Sequence, residues 1–474
     1  MLNGYMILTV LVSAMGGLLF GYDVGVISGV LIMDSFNETF RFGSETERGF
    51  TVSILLIGAL VGSLGVFYFA DRFGRRRSCM GGSIVFIAGG LMQTFADSLP
   101  LLTAGRFISG LSVGVLSMAV PLYLSEVSPK EYRGMMVAMQ QLAITVGILL
   151  AFCVNYGTER IDGDASWRIP FGVQNVFAIF MAAGMVFLPS SPRWLMSRGR
   201  VDQAMCALRR LRNSSGIMVQ QELDEIQDSI RLEREIGDGS WKEVAVNGMW
   251  RRVLLGVCLQ MFQQLTGINA IMYYSPKILS NAGFSSHSVT LLVTAGAGVV
   301  NVLMTLPGMY LVDRVGRRVL LLLGAGIMAV AMAILGIMIA IYAPAFEAPA
   351  VPWVCLVMLY LFIVGFAPSW GPIGWIYPSE IYPLRIRAKA MSLTTASNWL
   401  FNAIVALAVP PSLAAAPWGP MIAFAALLVL MAIWVYFTLP ETKGKSLEEV
   451  DALFGQDGFS SPYEAKLGFP KGGH

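Results

Sequence analysis

The chain has 474 residues, 55% of them apolar and only 13% charged, with a formal net charge of +3. A soluble domain carries roughly 25% charged residues, so this chain has too little polar surface to stay in water and reads as an integral membrane protein. Near-neutrality gives no sign of a nucleic-acid partner, and two histidines (His287, His474) without a catalytic companion argue against an enzyme; the scattered Cys79, Cys153, Cys206, Cys258 and Cys355 read as small apolar fillers, with no metal site or cofactor expected.

Twelve apolar stretches of about 20 residues are legible, at 8-33, 50-70, 78-97, 99-125, 135-157, 168-189, 253-281, 287-312, 319-343, 351-378, 387-410 and 417-439. They are numbered spans 1 to 12. Met1 to Tyr5 has no Lys or Arg, so a cleavable signal peptide is not expected ahead of span 1. Span 1 holds Asp23 and no other charge before Asp34. A carboxylate at that depth costs on the order of 2.5–3.5 kcal/mol on insertion scales, so it should face a cavity and have a partner or a task. Span 4 holds an equally isolated Arg106, the matching charge.

Between spans 6 and 7, residues 190-251 form the one long polar stretch, with Leu and Ile at helical spacing in Val201 to Leu211 and Gln220 to Glu235. A helical scaffold that caps the bundle is expected there, with a regulatory module as the other reading. The organisation is thus 1-189 as a first six-helix half, 190-251 as a helical linker, 252-440 as a second six-helix half and 441-474 as a tail. In span 10, Pro368, Pro372 and Pro378 predict an interrupted helix.

Arg72, Arg75, Arg76 and Arg77, Lys130 and Arg133, Arg314, Arg317 and Arg318, Arg385 and Arg387, and Lys443 all fall on one side. By the positive-inside rule that side is cytoplasmic, and an even span count puts both termini there. The chain also repeats itself. Asp71-Arg72-Phe73-Gly74-Arg75-Arg76 closes span 2 and Asp313-Arg314-Val315-Gly316-Arg317-Arg318 closes span 8; Glu126 to Arg133 recurs as Glu380 to Arg387. Repeats about an axis along the membrane normal are a transporter plan with the substrate site at mid-membrane. The repeated charges are expected to latch the cytoplasmic gate; a plain topology signal would explain the arginines but not their repeated order.

In order, Gly21-Tyr22-Asp23, the paired Asp-Arg-x-Gly-Arg-Arg loops, Gly105-Arg106, Pro192-Arg193-Trp194-Leu195, Gln263-Gln264-Leu265-Thr266-Gly267-Ile268-Asn269, Gly371-Pro372-Ile373-Gly374-Trp375 and Pro440-Glu441-Thr442-Lys443-Gly444 run the length of the chain. In these motifs the sequence resembles the sugar porter family of the major facilitator superfamily. The resemblance implies an all-α fold of twelve transmembrane helices in two halves. It implies alternating-access transport of a monosaccharide, with Gln141, Gln263, Gln264, Asn269, Asn301, Trp375 and Asn398 at the sugar and Tyr273, Tyr274 and Pro372 at the gate. Two departures stand out. Pro189-Ser190-Ser191-Pro192-Arg193 lacks the Glu that family members often carry second, which should weaken an ion pair; Ala367 stands where facilitators place a Glu, which sides with symporters.

The residue chemistry supports a sugar independently. Hydroxyls donate and accept, so a sugar site wants amides, which do both, and an aromatic face. Gln140 and Gln141, Gln263, Gln264 and Asn269, Asn301, Trp375, Asn398 and Asn402 supply them; any single amide could equally be helix-helix glue. Asp23 paired with Arg106 predicts proton-coupled symport, with a structural ion pair, an uncoupled uniporter or a transporter-like sensor as the other readings; a working monomer in the plasma membrane is the default expectation, with an intracellular membrane as the alternative. Asn37-Glu38-Thr39 lies in the first outer loop and would be a glycosylation sequon in a eukaryote.

Overall fold

A computed structural model describes residues 4–129, 133–214, 216–236, 241, 244, 249–284, 286–343, 350–382, 384–444 and 454; the side chains of Arg133 and Arg385 and most of the tail lie outside the described residues. Every regular element described is helical. Spans 1 to 6 are Gly4–Val30, Glu45–Phe73, Arg75–Thr94, Leu99–Val127, Arg133–Thr158 and Ala165–Phe187. Spans 8, 9, 11 and 12 are His287–Val315, Arg317–Tyr342, Leu384–Ala415 and Gly419–Thr438, while spans 7 and 10 are each in two pieces, Met249–Leu265 with Ile268–Asn281 and Val351–Phe366 with Trp370–Ile381. The described helices thus make up the twelve spans that the resemblance implies.

Helices dominate because a chain surrounded by hydrocarbon must satisfy its backbone polar groups within each segment. Eleven described helices, counting the two-piece spans once, are long and apolar enough to cross a bilayer. Span 3 is not among them, since it opens on three arginines and is rich in glycine, but it packs along spans 4 and 6 as a full member of the bundle. Span 2 shows a local start signal. Ser44 accepts a hydrogen bond from the Glu47 amide at 3.2 Å, and the Glu47 carboxylate takes the Gly43 amide at 2.6 Å. Large apolar side chains such as Phe180, Phe187, Ile341 and Phe437 are well exposed on the bundle rim, where lipid covers them.

Without a hydrophobic drive between helices in lipid, contact depends on small residues. Spans 1 and 5 show the limit: a Cβ on Gly21 would fall 1.9 Å from the Ile144 carbonyl oxygen, and one on Gly147 would fall 2.3 Å from that of Leu18. The two halves meet through spans 2 and 11, spans 5 and 8, and span 1 against the second piece of span 7. On the face opposite the arginines these seams are tight. Ser53 Oγ donates to Ala403 O at 3.2 Å, and Gly298 lies against Leu149 and Phe152.

On the arginine-rich face, Pro192–Ser197, Val201–Arg212 and Ile217–Ile236 share a separate small core of Trp194, Leu195, Leu208, Val219 and Leu223. Arg212 fixes it with two bonds to Glu222, at 2.9 and 2.6 Å, and ties it to span 4 by donating to Val127 O at 2.9 Å. The sequon residue Asn37 has its Nδ2 in use, donating to Leu31 O at 3.1 Å and Met33 O at 2.9 Å, so a glycan there, which leaves Nδ2 one N–H, would displace at least one of these bonds.

Candidate functional site

The amides singled out from sequence gather where two helices break. Span 7 turns at Gly267, whose φ is 90° and whose Cβ would lie 2.8 Å from the Phe424 ring, so backbone and packing both demand glycine. Span 10 breaks around Pro368, as its prolines predict. The amides bind backbone carbonyls in the second piece of span 10. Gln263 Nε2 donates to Trp370 O at 2.8 Å and to Gly371 O at 3.1 Å, and Gln260 Nε2 to Gly374 O at 2.7 Å. From span 11, Asn398 Nδ2 donates to Gln260 Oε1 and, at 2.7 Å, to Gln263 Oε1. Asn269 Nδ2 donates to Gln264 Oε1 at 2.6 Å.

Asn398 Oδ1 keeps no partner among the described residues, an acceptor still to be used. Gln141 approaches from the first half: its Nε2 lies 3.5 Å from the place a Gly371 Cβ would take. Six amides on spans 5, 7 and 11 thus surround the two breaks. Asn301 and Trp375 stand outside the bonded set. Asn301 is buried on span 8 with its carbonyl taken by Thr305 at 2.7 Å, and Trp375 is partly exposed one residue beyond Gly374. Pro372 is buried in the first turn of the second piece of span 10.

Asp23 and Arg106 come together as their isolation predicts, with Oδ1 and Nη1 3.7 Å apart and both side chains almost wholly buried. The contact is loose. Arg106 spends its shortest bond on Thr51 O, at 2.7 Å, and neither Asp23 oxygen accepts a hydrogen bond from a described residue. Tyr273 and Tyr274 follow on span 7, edge to face at 6.2 Å; Tyr274 donates to Ala406 O at 2.8 Å, joining span 7 to span 11.

The charged repeats form two matching clusters, one per half. In the first, Arg75 bonds Glu126 at 2.9 Å and Asp71 at 3.2 Å, and Ser191 donates to Glu126. In the second, Arg317 bonds Glu380 at 2.7 Å and Asp313 at 3.0 Å, and Thr442 donates to Glu380 at 2.7 Å. Even the buttresses repeat: Tyr123 donates to Pro189 O at 2.7 Å and Tyr377 to Pro440 O at 3.0 Å. Arg76 and Arg318 reach the ends of spans 6 and 12 through Leu188 O and Tyr436 O. Arg72 and Arg314 point outward instead, lying over Tyr68 and Tyr310, and Arg387 Nε bonds Tyr382 O at 3.1 Å.

Three comparisons with known proteins agree with this geometry. The family described as "Sugar (and other) transporter" matches residues 9–454. The chain belongs to this sugar porter family. It is 40% identical to the galactose-proton symporter of Escherichia coli (strain K12), covering 93% of this chain and 92% of that one. It is 37% identical to the MFS glucose transporter mfs1 of Aspergillus flavus, over 93% and 88% of the two chains. Among solved structures, the proton:xylose symporter XylE bound to 6-bromo-6-deoxy-D-glucose superposes with a TM-score of 0.82 at 33% identity, covering 96% of this chain and all of that one.

Two features of this sugar porter escaped the sequence reading. Gln260, wholly buried, is as much part of the amide set as Gln263 and sits one helical turn before it; the i, i+3 spacing of amides on one apolar helix was the available signal. The other concerns Ser190. A weakened ion pair was expected there; in the second copy Glu441 accepts from the Arg317 and Arg318 amides at 3.0 and 2.9 Å, capping span 9. What Ser190 forgoes is therefore a helix cap, and Gly74 at the start of span 3 has none.

Proposed function

We propose that this sugar porter is a monosaccharide–proton symporter of the plasma membrane, with the arginine-rich face and both termini cytoplasmic and the monomer as the working unit. Gln141, Gln263, Gln264, Asn269 and Asn398 coordinate the hydroxyls, with Asn301 and Trp375 joining them when sugar is held; Tyr273, Tyr274 and Pro372 move as the outer gate. The Arg75–Glu126 and Arg317–Glu380 clusters are the cytoplasmic latch, whose breaking during the cycle lets that gate open.

The single observation that carries coupling is Asp23. It is a carboxylate 1% exposed in a membrane helix, with no hydrogen bond from a described residue and a guanidinium 3.7 Å away. A group so placed gains from neutralisation, and the resulting loss of the ion pair biases the halves toward one arrangement. The absence of a Glu at Ala367 and the proton-coupled relatives support the same reading. The test is glucose, galactose and xylose uptake by proteoliposomes under an imposed pH gradient. Accumulation that follows the gradient in the native protein and is lost in Asp23→Asn is expected; uptake indifferent to the gradient, with Asp23→Asn unchanged, would overturn coupling in favour of uniport.

A further inference from the structure

Spans 2 and 11 form one of the seams between the halves, and its two ends are joined in different ways. At the outer end, opposite the arginines, the spans meet directly. Ser53 Oγ donates to Ala403 O at 3.2 Å, and a Cβ on Gly49 would fall 3.2 Å from the Leu407 carbonyl oxygen. At the arginine-rich end a residue of the linker joins them. The Trp241 ring packs edge to face with Phe67 of span 2, centroids 5.5 Å apart, and the Lys389 ammonium of span 11 lies over the Trp241 ring, 5.9 Å from its centre. One indole touches both halves. The linker helices before it are bonded to the first half: Trp194 Nε1 and Arg198 Nη2 donate to Asp71 O at 2.9 and 2.7 Å, and Arg212 to Val127 O at 2.9 Å. Past Ile236 the chain must cross to span 7 of the second half, and Trp241 lies on that crossing, followed by Val244, which is buried in the core of the bundle.

We propose that Trp241 is a strap that favours the outer-closed arrangement of this sugar porter. Alternating access rocks one half against the other, so the gap between the inner ends of spans 2 and 11 differs between the two arrangements. An indole has a fixed size and makes both contacts at one gap. The cation already sits close to the limit of about 6 Å at which a ring still attracts it, so even a small change of gap loses it. The pair of contacts thus belongs to the arrangement whose outer seam is closed, and contacts made in one arrangement and not the other shift the balance between them. This gives the linker a part in setting the resting arrangement, beyond that of a scaffold. The inference holds for coupled and uncoupled transport alike.

Distances across the arginine-rich face test it. Arg77 and Val319 are exposed and occupy equivalent places at the starts of spans 3 and 9. Nitroxides on Arg77→Cys/Val319→Cys, with the five native cysteines replaced, are read by double electron–electron resonance in nanodiscs, with and without glucose, galactose or xylose. Outer closure corresponds to the longer distance. Trp241→Ala should lower the ratio of long to short distances about fivefold, and Lys389→Met about twofold. Adding Lys389→Met to Trp241→Ala should change little further, because the ring it acts through is gone. Trp241 is 43% exposed, so its truncation leaves no buried cavity, and Trp241→Phe, which keeps a ring beside Phe67, should fall between native and Trp241→Ala. An unshifted distribution in Trp241→Ala, a shift to longer distances, or a Lys389→Met effect undiminished in the double variant overturns the strap while leaving alternating access intact. A single native distance indifferent to all three sugars defeats alternating access itself, and the strap with it.

Discussion

Replacing Arg106 by Met tests how the buried pair is held. The guanidinium sits 3.7 Å from Asp23, and at an effective dielectric of 20 two unit charges at that distance attract by about 4.5 kcal/mol. The variant also strips Thr51 O of its 2.7 Å bond, while Met keeps most of the apolar bulk. Leaving one member of a buried ion pair without its partner costs about 3–5 kcal/mol, and that is the expected loss of stability in equilibrium unfolding in mixed micelles. Adding Asp23→Asn should restore most of it, because the orphaned charge, not the missing contact, is the source. Loss of under about 1 kcal/mol in Arg106→Met, or a double variant no better than the single, would refute the account: Asp23 would then have to be neutral at rest or hydrated.

Three further outcomes follow from the geometry. Gly267→Ala forces a side chain into a left-handed backbone and the Phe424 ring; it should cost about 1–3 kcal/mol, read as a lowered melting temperature in detergent. Gln263→Leu strips bonds from Trp370 O, Gly371 O and Asn398. Unsatisfied buried groups at about 1–3 kcal/mol each predict a loss of stability, and loss of the amide as a partner for sugar hydroxyls at about 1.5 kcal/mol predicts about a tenfold rise in the Kd for the transported sugar, measured by competition binding; an unchanged Kd would remove Gln263 from the site. Ser190→Glu should supply span 3 with the cap that Glu441 gives span 9. A gain of about 0.3–1 kcal/mol is expected, and a loss would show that the two halves are not equivalent there.

Much of this was readable from sequence because its causes are local. Span lengths follow from bilayer thickness, the interrupted span 10 from its prolines, and the pairing of Asp23 with Arg106 from the cost of leaving either alone. The two halves declared themselves by repeated motifs, and their repeated hydrogen bonds, down to Tyr123 and Tyr377, carry the same message in three dimensions. Span 3 shows the limit of hydropathy, since its glycines and arginines hide a helix whose place is set by neighbours. Ser190 shows the limit of analogy: only the bonds made by Glu441 reveal what a carboxylate would do there.

By itself the sequence determined the composition-level facts: a membrane bundle, two halves, the arginine-rich face, and a pool of amides too costly to leave unbonded in hydrocarbon. The tertiary structure decided which amides meet. Gln260 and Asn398, 138 residues apart, share a hydrogen bond, while Asn301, equally polar, does not join them. It decided as well that Asp23 and Arg106, though paired, approach only to 3.7 Å, with the shorter bond of Arg106 going to Thr51 O. Such facts depend on which helix faces which, and that is set by close packing at small residues such as Gly21 and Gly147, a sum over the whole bundle that no single segment contains.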